Sequence, residues 1–382
     1  MKTLLSSKLR FEQMKGVGTM ELDFLPDQRV YTLIGENGVG KTKFLESLFV
    51  LLFFSYTKVL SEDRWIVRNN IPFSQVEANS LIFNFSLENN PLTDISNIFE
   101  YISHNYPILY LSAGNRSYIN TSKNNISKLG SKLEREKDYF EYIYSYFNSS
   151  QSKSLKNINS EMPIEEWIIQ RAQSANPYQS KEDNREIEIK TLLELLNSID
   201  HRISKDFMEI SGSNRVFIKI ENQKRELSEL SSGFSSILKI LQSIIAGYSY
   251  FTNETQIANV RGVVLIDEIE SHLHNQWQVK IIPLLKKLFP NTTFFITTHS
   301  SLVISQLEHG EAYRLERNKD DGVVYGKLID YPSNVSFIDL LHDAFDVNLN
   351  ELKRSRLNEE TQEEAKKALL KLVQQELENM GG

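Results

Sequence analysis

The chain opens with apolar residues at alternating positions in two stretches, Thr3–Phe11 and Thr19–Phe24, followed by a continuous apolar run, Val30–Ile34. Period-two alternation and short apolar runs are typical of strands, so these segments predict three strands that lead into a glycine-rich loop. The next apolar positions extend from Lys41 to about Tyr56 and predict a buried helix. The pattern therefore predicts a strand, a loop and a helix in direct succession.

Short apolar runs and helical periods alternate along the rest of the chain. Further strands are predicted at 81–87, 108–111, 216–220, 263–267, 293–297, 313–316 and 323–329. Helices are predicted at 234–248 and 276–289. Because apolar strands that alternate with helices form parallel sheets with both faces covered, we expect an α/β fold with a mostly parallel sheet.

A change in composition interrupts this pattern at Ala113. Ser and Asn are frequent up to Ser160, and sustained helical periodicity returns only over 161–206. An amphipathic helix is also predicted near the end of the chain, beginning at Asn358. The predicted organisation is one domain formed by 1–112 and 207–330, a mainly helical insertion (a lid or arm) at 113–206, and a C-terminal helical segment at 331–382.

Composition limits the function without naming it. Of the 382 residues, 40% are hydrophobic and 24% are charged, and the net charge of −7 argues against a protein that coats nucleic acid. Cysteine is absent, which excludes disulfides and thiolate chemistry and fits a cytoplasmic location. The longest apolar run, Phe44–Phe54, is shorter than the ~20 residues that a membrane helix needs, so no membrane segment is expected.

A phosphate-binding pattern follows the third predicted strand. Residues 35–42 read GENGVGKT and match G-x-x-x-x-G-K-[ST] between a strand and a helix. Glycines let the backbone approach phosphates closely, the lysine reaches the β- and γ-phosphates of ATP, and the hydroxyl can ligate Mg²⁺. The predicted nucleotide-binding residues are Gly35, Glu36, Asn37, Gly38, Val39, Gly40, Lys41 and Thr42, the last also as a magnesium ligand.

Two carboxylates end the apolar run at 263–268, which reads VVLIDE. A buried strand would place Asp267 at the carboxyl edge of the sheet, where doubly wound folds bind their ligands. Asp267 could there hold Mg²⁺ opposite Thr42, and Glu268 could orient or deprotonate the attacking water. An aspartate that only caps a helix is the alternative, and the phosphate-binding pattern favours the metal ligand.

Two further motifs have both a structural and a functional interpretation. LSSGF at 230–234 predicts a helix start with a serine cap, and the same geometry forms an anion site. A second anion site, apart from the phosphate-binding loop, would fit the nucleotide of a partner subunit. His299 ends the strand FFITT; a histidine there is often structural, but here it could sense the γ-phosphate.

The order of these motifs resembles that of the ABC-type ATPases: GENGVGKT, LSSGF, VVLIDE, ESHLH (270–274) and TTHS. Within them the chain is similar to the soluble SMC/RecF-like group, and to the ATPases of antiphage systems, the overcoming-lysogenisation-defect proteins and the PtuA component of Septu. The opening KLRFEQMKGVGTMELDF is typical of these proteins. The resemblance covers roughly 1–112 and 207–310 and implies a P-loop fold with a mixed or parallel sheet flanked by helices.

The resemblance also implies roles for single residues. Ser231 and Gly233 would contact the γ-phosphate in the partner's site, Glu268 would be the catalytic base, ESHLH would be the D-loop and His299 the switch histidine. ATP and Mg²⁺ would be bound between two copies in a head-to-tail homodimer, with higher-order assembly left open. The signature departs from the common pattern at Ser232 and Phe234, and the Q-loop glutamine has only one weak candidate, Gln75.

Three functions are compatible with these motifs. The first is an antiphage ATPase that regulates a separate effector, such as a nuclease; the others are a DNA repair or maintenance ATPase and the nucleotide-binding subunit of a transporter. The long insertion, the absence of a clear Q-loop and the SMC-like opening argue against the transporter. No nuclease is expected within the chain, because Asp320 and Asp321 are predicted in a turn. Binding of nucleic acid stays open.

An aromatic cluster lies within the predicted insertion, at Tyr139, Phe140, Tyr142, Tyr144, Tyr146 and Phe147. Aromatic side chains of this kind can stack on nucleic-acid bases. They can also pack between helices or against a partner. Packing is the favoured interpretation.

Overall fold

The structure is a computed structural model that describes residues 8–61, 71–78, 81–84, 102–114, 128–148 and 163–335, together with a few isolated residues outside these ranges. The chain divides into two compact units, 1–333 and 334–382. The second unit lies almost wholly outside the described residues, as does the helix predicted to begin at Asn358. The segment boundaries predicted from the sequence stay predictions.

Thirteen strands form within the described residues, and most lie where the apolar runs predict them. They are β1 (Lys8–Met14), β2 (Gly18–Asp23), β3 (Val30–Ile34), β4 (Gln75–Ala78), β5 (Leu81–Asn84), β6 (Ile108–Leu111), β7 (Ile203–Ile210), β8 (Val216–Ile220), β9 (Gln223–Glu226), β10 (Gly262–Ile266), β11 (Thr292–Thr297), β12 (Ala312–Arg317) and β13 (Val324–Leu328).

Nine α-helical segments connect and cover these strands over the same ranges. They are α1 (Lys41–Phe54), α2 (Thr57–Leu60), α3 (Lys132–Asn148), α4 (Ile164–Ser174), α5 (Glu186–Ile199), α6 (Ser232–Phe251), α7 (Asn275–Gln278), α8 (Ile281–Leu288) and α9 (Ser301–Ile304). No helix in the described part of the chain is long and apolar enough to cross a bilayer.

Ten of the strands form one mixed sheet in the order β5-β4-β1-β2-β13-β12-β3-β11-β10-β6. The five strands from β12 to β6 in this order are parallel. At the other end of the sheet, the neighbouring strands β5, β4, β1 and β2 pair antiparallel. The predicted α/β fold with a mixed or parallel sheet is therefore confirmed, and five of the nine strand pairings in this sheet are parallel. The antiparallel part arises because β1 and β2 are joined by a tight turn, which only antiparallel neighbours allow.

The helix predicted at 276–289 is in fact two helices, α7 and α8, separated at Val279–Lys280. Pro283 lies in the first turn of α8 and explains the break. A proline ring clashes with the carbonyl four residues earlier, here that of Val279, and cannot donate a backbone hydrogen bond to it. The apolar periodicity continues across the break, which is why the pattern alone predicts one helix.

The core lies around the parallel strands. The side chains of β3, β6, β10 and β11 are all buried, and α1 packs against β6 and β11 while α6 packs against β6. Tyr248 of α6 shares a buried hydrogen bond of 2.6 Å with Thr292 of β11. Burial of apolar area contributes about 25 cal/mol per Å² to the free energy of folding. The packing of α1 and α6 therefore fixes the carboxyl edges of the parallel strands relative to both helices.

The aromatic side chains of α3 are part of this core. Phe140 and Tyr144 are buried, and each meets Phe53 of α1 edge to face with ring centroids 5.9 Å apart. Tyr139 is buried as well, and its hydroxyl donates a hydrogen bond to the carbonyl of Ile108. These rings therefore pack between helices, as the favoured interpretation predicted, and are not exposed for stacking on bases.

Candidate functional site

The phosphate-binding loop joins β3 to α1, and three of its residues have left-handed backbone angles. The φ angles are 145° at Gly35, 82° at Gly38 and 117° at Gly40, values that side-chain-bearing residues rarely adopt. A Cβ on Gly35 would lie 2.8 Å from the carbonyl oxygen of Leu315. The loop thus has a conformation that only glycine permits, with its N–H groups at the start of α1 available to an anion.

Lys41, the first residue of α1, is buried, and its ammonium folds back onto the loop. Its Nζ donates hydrogen bonds to the carbonyl oxygens of Gly35 at 2.7 Å and Glu36 at 2.9 Å. Burial lowers the pKa of Lys41 to about 8, and the nearby carboxylates, that of Glu270 first, oppose the shift. A phosphate bound in the loop would place a negative charge beside the buried ammonium and so favour its charged form.

Thr42 and Asp267 meet where α1 begins and β10 ends. The Thr42 hydroxyl lies 3.0 and 3.1 Å from the two carboxylate oxygens of Asp267, which is buried. Hydroxyl and carboxylate oxygens are the ligands that Mg²⁺ prefers, and Mg²⁺ bound with a nucleotide uses one or two of them beside phosphates and water. The Thr42 hydroxyl and the Asp267 carboxylate therefore fit Mg²⁺ that is bound together with a nucleotide.

Thr297, at the end of β11, supports both acidic residues that follow β10. Its hydroxyl donates to Asp267 Oδ1 at 2.6 Å and accepts from the backbone N–H of Glu268 at 2.7 Å. The side chain is fully buried. One hydroxyl therefore fixes the orientation of the predicted metal ligand and the position of the predicted base.

The Thr297→Val substitution is expected to lower the free energy of unfolding by about 1–3 kcal/mol, because it leaves a buried N–H and a buried carboxylate oxygen without this partner. Urea unfolding of the nucleotide-free protein measures the change. Thr297→Ser keeps the hydroxyl and serves as the control, with a smaller loss expected. Equal losses for the valine and serine variants would contradict this role of the hydroxyl.

Glu268 follows Asp267 and has a left-handed φ of 44°. Such a conformation is strained for a residue with a side chain and is enriched at functional sites. The carboxylate is half-buried and accepts a hydrogen bond of 3.1 Å from the hydroxyl of Ser271. Glu268 thus turns away from the direction of Asp267 and keeps an accessible carboxylate at the edge of the sheet.

His299 lies just beyond β11 on the same edge, with an exposed side chain. Its backbone N–H donates to Glu270 at 2.6 Å. Partial burial of the ring and the positive charge of Lys41 lower the pKa of His299, against the opposing effect of the carboxylates of Glu270, Glu268 and Asp267. The lowered pKa favours the neutral imidazole, in which one nitrogen can donate and the other can accept a hydrogen bond.

The LSSGF residues lie elsewhere, at the start of α6. Ser231 is exposed and caps the helix, as the sequence predicts. A Cβ on Gly233 would lie 2.8 Å from the ring of His274, and the Ser236 hydroxyl donates to the carbonyl of Ser271. These contacts join the start of α6 to the ESHLH segment. Ser231, the capping residue of α6, is exposed to solvent.

The other predicted positions are also located. Gln75 begins β4, which β1, β2, β13 and β12 separate from β3 in the sheet, so the strand order gives this Q-loop candidate no support. Asp320 and Asp321 lie in the exposed turn between β12 and β13, where the Asp321 carboxylate accepts from the backbone N–H of Val323.

Sequence reasoning missed several residues that hold this site together, namely Thr297, Thr298, Glu270 and Ser271. A partial signal existed, since two threonines precede His299 at the end of an apolar strand and a third acidic residue follows Asp267 and Glu268. The partners of Thr297 and Thr298 are about thirty residues away along the chain, so no local pattern could pair them.

The family model described as "AAA domain, putative AbiEii toxin, Type IV TA system" matches residues 30–305, which contain every element of this site. The chain is similar to the Septu protein PtuA of Bacillus thuringiensis, with 24% identity over 85% of this chain and 79% of that protein. A PtuA of Bacillus mycoides is also 24% identical, over 86% of this chain but only 43% of its own length.

The chain is further similar to the Retron Vc95 probable ATPase of Vibrio cholerae, with 30% identity over 40% of this chain and 30% of that protein. Among solved structures, an SMC head bound to the C-winged helix domain of ScpA is similar over 87% of this chain and all of that chain, with 14% identity and a TM-score of 0.45.

Proposed function

We propose that this chain, which belongs to the family described as AAA domain, putative AbiEii toxin, Type IV TA system, binds ATP with Mg²⁺ and hydrolyses it to ADP and phosphate. The observation that carries the proposal is the meeting of Lys41, Thr42, Asp267, Glu268 and His299 at the carboxyl edge of β3, β10 and β11. That edge is where open α/β sheets bind their ligands.

Each of these residues has a distinct task in the proposed reaction. The loop N–H groups and Lys41 hold the β- and γ-phosphates, and Thr42 and Asp267 ligate Mg²⁺, whose charge neutralises the phosphate oxygens. Glu268 accepts a proton from the attacking water or orients it. The ring of His299 donates a hydrogen bond toward the γ-phosphate.

The second half of the proposed site comes from another copy of the chain, in a head-to-tail homodimer. Ser231 and Ser232 at the start of α6 are exposed, while the same turn is fastened to the ESHLH segment by Gly233 and Ser236. Helix N-termini attract anions. In the dimer, Ser231 and Gly233 would contact the γ-phosphate held by the partner's phosphate-binding loop.

The cellular role that fits best is antiphage defence in the cytoplasm, with the ATPase regulating a separate effector, such as a nuclease. The supporting observation is the similarity to two Septu PtuA proteins and a retron ATPase. The chain spans 43% and 30% of the length of two of these relatives, so the effector, the stoichiometry and nucleic-acid binding belong to the proposal. Asp320 and Asp321 lie in an exposed turn, and no nuclease site is proposed at these two residues.

Measuring phosphate release by the purified chain with ATP, with and without Mg²⁺, tests the proposed activity. Release that depends on Mg²⁺ is expected. A chain that binds no ATP under these conditions would contradict the function, and binding without any release would contradict the role of Glu268.

The Ser231→Arg substitution is expected to abolish ATP turnover while each subunit still binds ATP, because the bulky cation would fill the space for the partner's γ-phosphate. Phosphate release and ATP-dependent dimerisation by light scattering measure the effect. Ser213→Arg, at another exposed serine in the β7–β8 turn, is the matched control and should behave as the parent. Unchanged turnover in Ser231→Arg would exclude a site completed by the partner.

A further inference from the structure

Glu270 uses both oxygens of its carboxylate to hold the segment that carries His299. One oxygen accepts a hydrogen bond of 2.7 Å from the hydroxyl of Thr298, and the other accepts one of 2.6 Å from the backbone N–H of His299. Both distances are short for hydrogen bonds in proteins. Thr298 is fully buried and Glu270 is half-buried, so the contact between them lies at the edge of the core.

A second contact fastens the same two segments further on. The hydroxyl of Ser300 donates to the side-chain oxygen of Gln278 at 2.6 Å, and the amide of Gln278 donates to the carbonyl of Leu273 at 2.7 Å. The backbone is thus held on both sides of His299, whose own ring stays exposed. The fixed backbone limits the positions that the imidazole can reach, and the exposed ring stays accessible to a ligand.

Glu270 also lies at the phosphate end of the site. Among the carboxylates that favour the charged form of Lys41, it has the largest effect, ahead of Asp267 and Glu268, and it acts on His299 as well. Glu270 is nevertheless neither the predicted metal ligand nor the predicted base. Its hydrogen bonds go to Thr298 and to the backbone of His299, which indicates a supporting role.

We propose that Glu270 is a positioning residue for ATP hydrolysis: its carboxylate clamps Thr298 and the backbone of His299 so that the imidazole faces the γ-phosphate. The inference rests on the proposed ATPase function. Glu270 acts through His299 and does not itself touch the nucleotide. The length and the two acceptors of the glutamate side chain are therefore required, and its charge alone is insufficient.

Two substitutions separate geometry from charge. Glu270→Gln keeps the length but exchanges one acceptor for a donor, and Glu270→Asp keeps the charge but is one methylene too short to make both hydrogen bonds. Both variants are expected to lower kcat about 100-fold, since a misplacement of about 1 Å has this cost. Neither should weaken ATP binding, because the phosphate-binding loop is intact and Glu270→Gln removes a negative charge from beside the phosphates.

A double substitution tests whether Glu270 acts through His299. His299→Ala is expected to lower kcat by itself, and adding Glu270→Gln to it should have little further effect. Two independent contributions would instead multiply. Thermal unfolding of each variant separates a loss of fold from a loss of positioning, and Glu308→Gln, an exposed glutamate paired with Lys286, is the control for removing a surface charge.

The results distinguish the inference from the function on which it rests. If the parent chain does not hydrolyse ATP, the proposed function fails before any variant is compared. If the parent is active and folded Glu270→Asp is as active as the parent, the clamp is wrong and only charge matters. Fully multiplicative losses in the double variant, or ATP binding that weakens as much as kcat falls, would also overturn it.

Discussion

Replacing Lys41 by alanine is expected to weaken ATP binding by at least about 100-fold, because a buried ammonium makes hydrogen bonds to charged groups worth about 1.5–3 kcal/mol each. The loop around it cannot compensate. The glycines of the loop leave backbone N–H groups for the phosphates. Residues 35–40 contain no second lysine or arginine that could replace the ammonium. Titration with a fluorescent ATP analogue measures the change in Kd.

Lys43→Ala provides the matched control, since Lys43 lies in the same helix two residues further on and pairs with Glu46. It removes the same charge from the same turn of α1, and ATP should still bind as to the parent. Thermal unfolding checks that both variants fold. Binding by folded Lys41→Ala that stays near the parent's would contradict the assignment of residues 35–42 as the phosphate-binding loop.

Replacing Glu268 by glutamine is expected to lower ATP turnover by about 10²–10⁴-fold, the usual contribution of a general base, without loss of ATP binding. The glutamine oxygen can still accept the hydrogen bond that Ser271 donates, and the N–H of residue 268 still reaches Thr297. The local structure is thus kept while the proton acceptor is removed. ATP should remain bound, and the dimer should persist.

Phosphate release together with light scattering in ATP measures both parts of this expectation. Glu308→Gln again controls for a lost carboxylate at an exposed position. Wild-type turnover by Glu268→Gln would show that another group accepts the proton. Lost turnover without a persistent dimer would keep Glu268 as the base but contradict the dimer that closes around ATP.

Local patterns were sufficient for the parts of the site that are continuous in the chain. GENGVGKT is followed in the structure by a helix that begins at Lys41, and the apolar run before Asp267 is a fully buried strand. Such signals work because a strand, a tight turn and a helix start depend on neighbouring residues. The order of the motifs then indicated the family.

Contacts between distant segments could not be predicted in this way. The hydroxyl of Thr297 reaches Asp267 and Glu270 reaches Thr298 only because β10 and β11 are parallel neighbours. Apolar periodicity also does not specify which strands pair, so the strand order of the mixed sheet could not be predicted from it. The sequence also does not show which charged residues are buried. Arg171 and Arg185 are buried, and both share the carboxylate of Glu188.

The phosphate-binding loop was determined by the sequence alone, because three glycines, a lysine and a threonine at that spacing have few other uses. The acidic strand and the signature helix start followed from equally local chemistry. Only the tertiary structure decided how Glu268 and His299 are held, through Thr297, Ser271 and Glu270. The physical reason is that these hydrogen bonds join carboxyl edges of separate strands, whose adjacency is set by packing of the whole sheet.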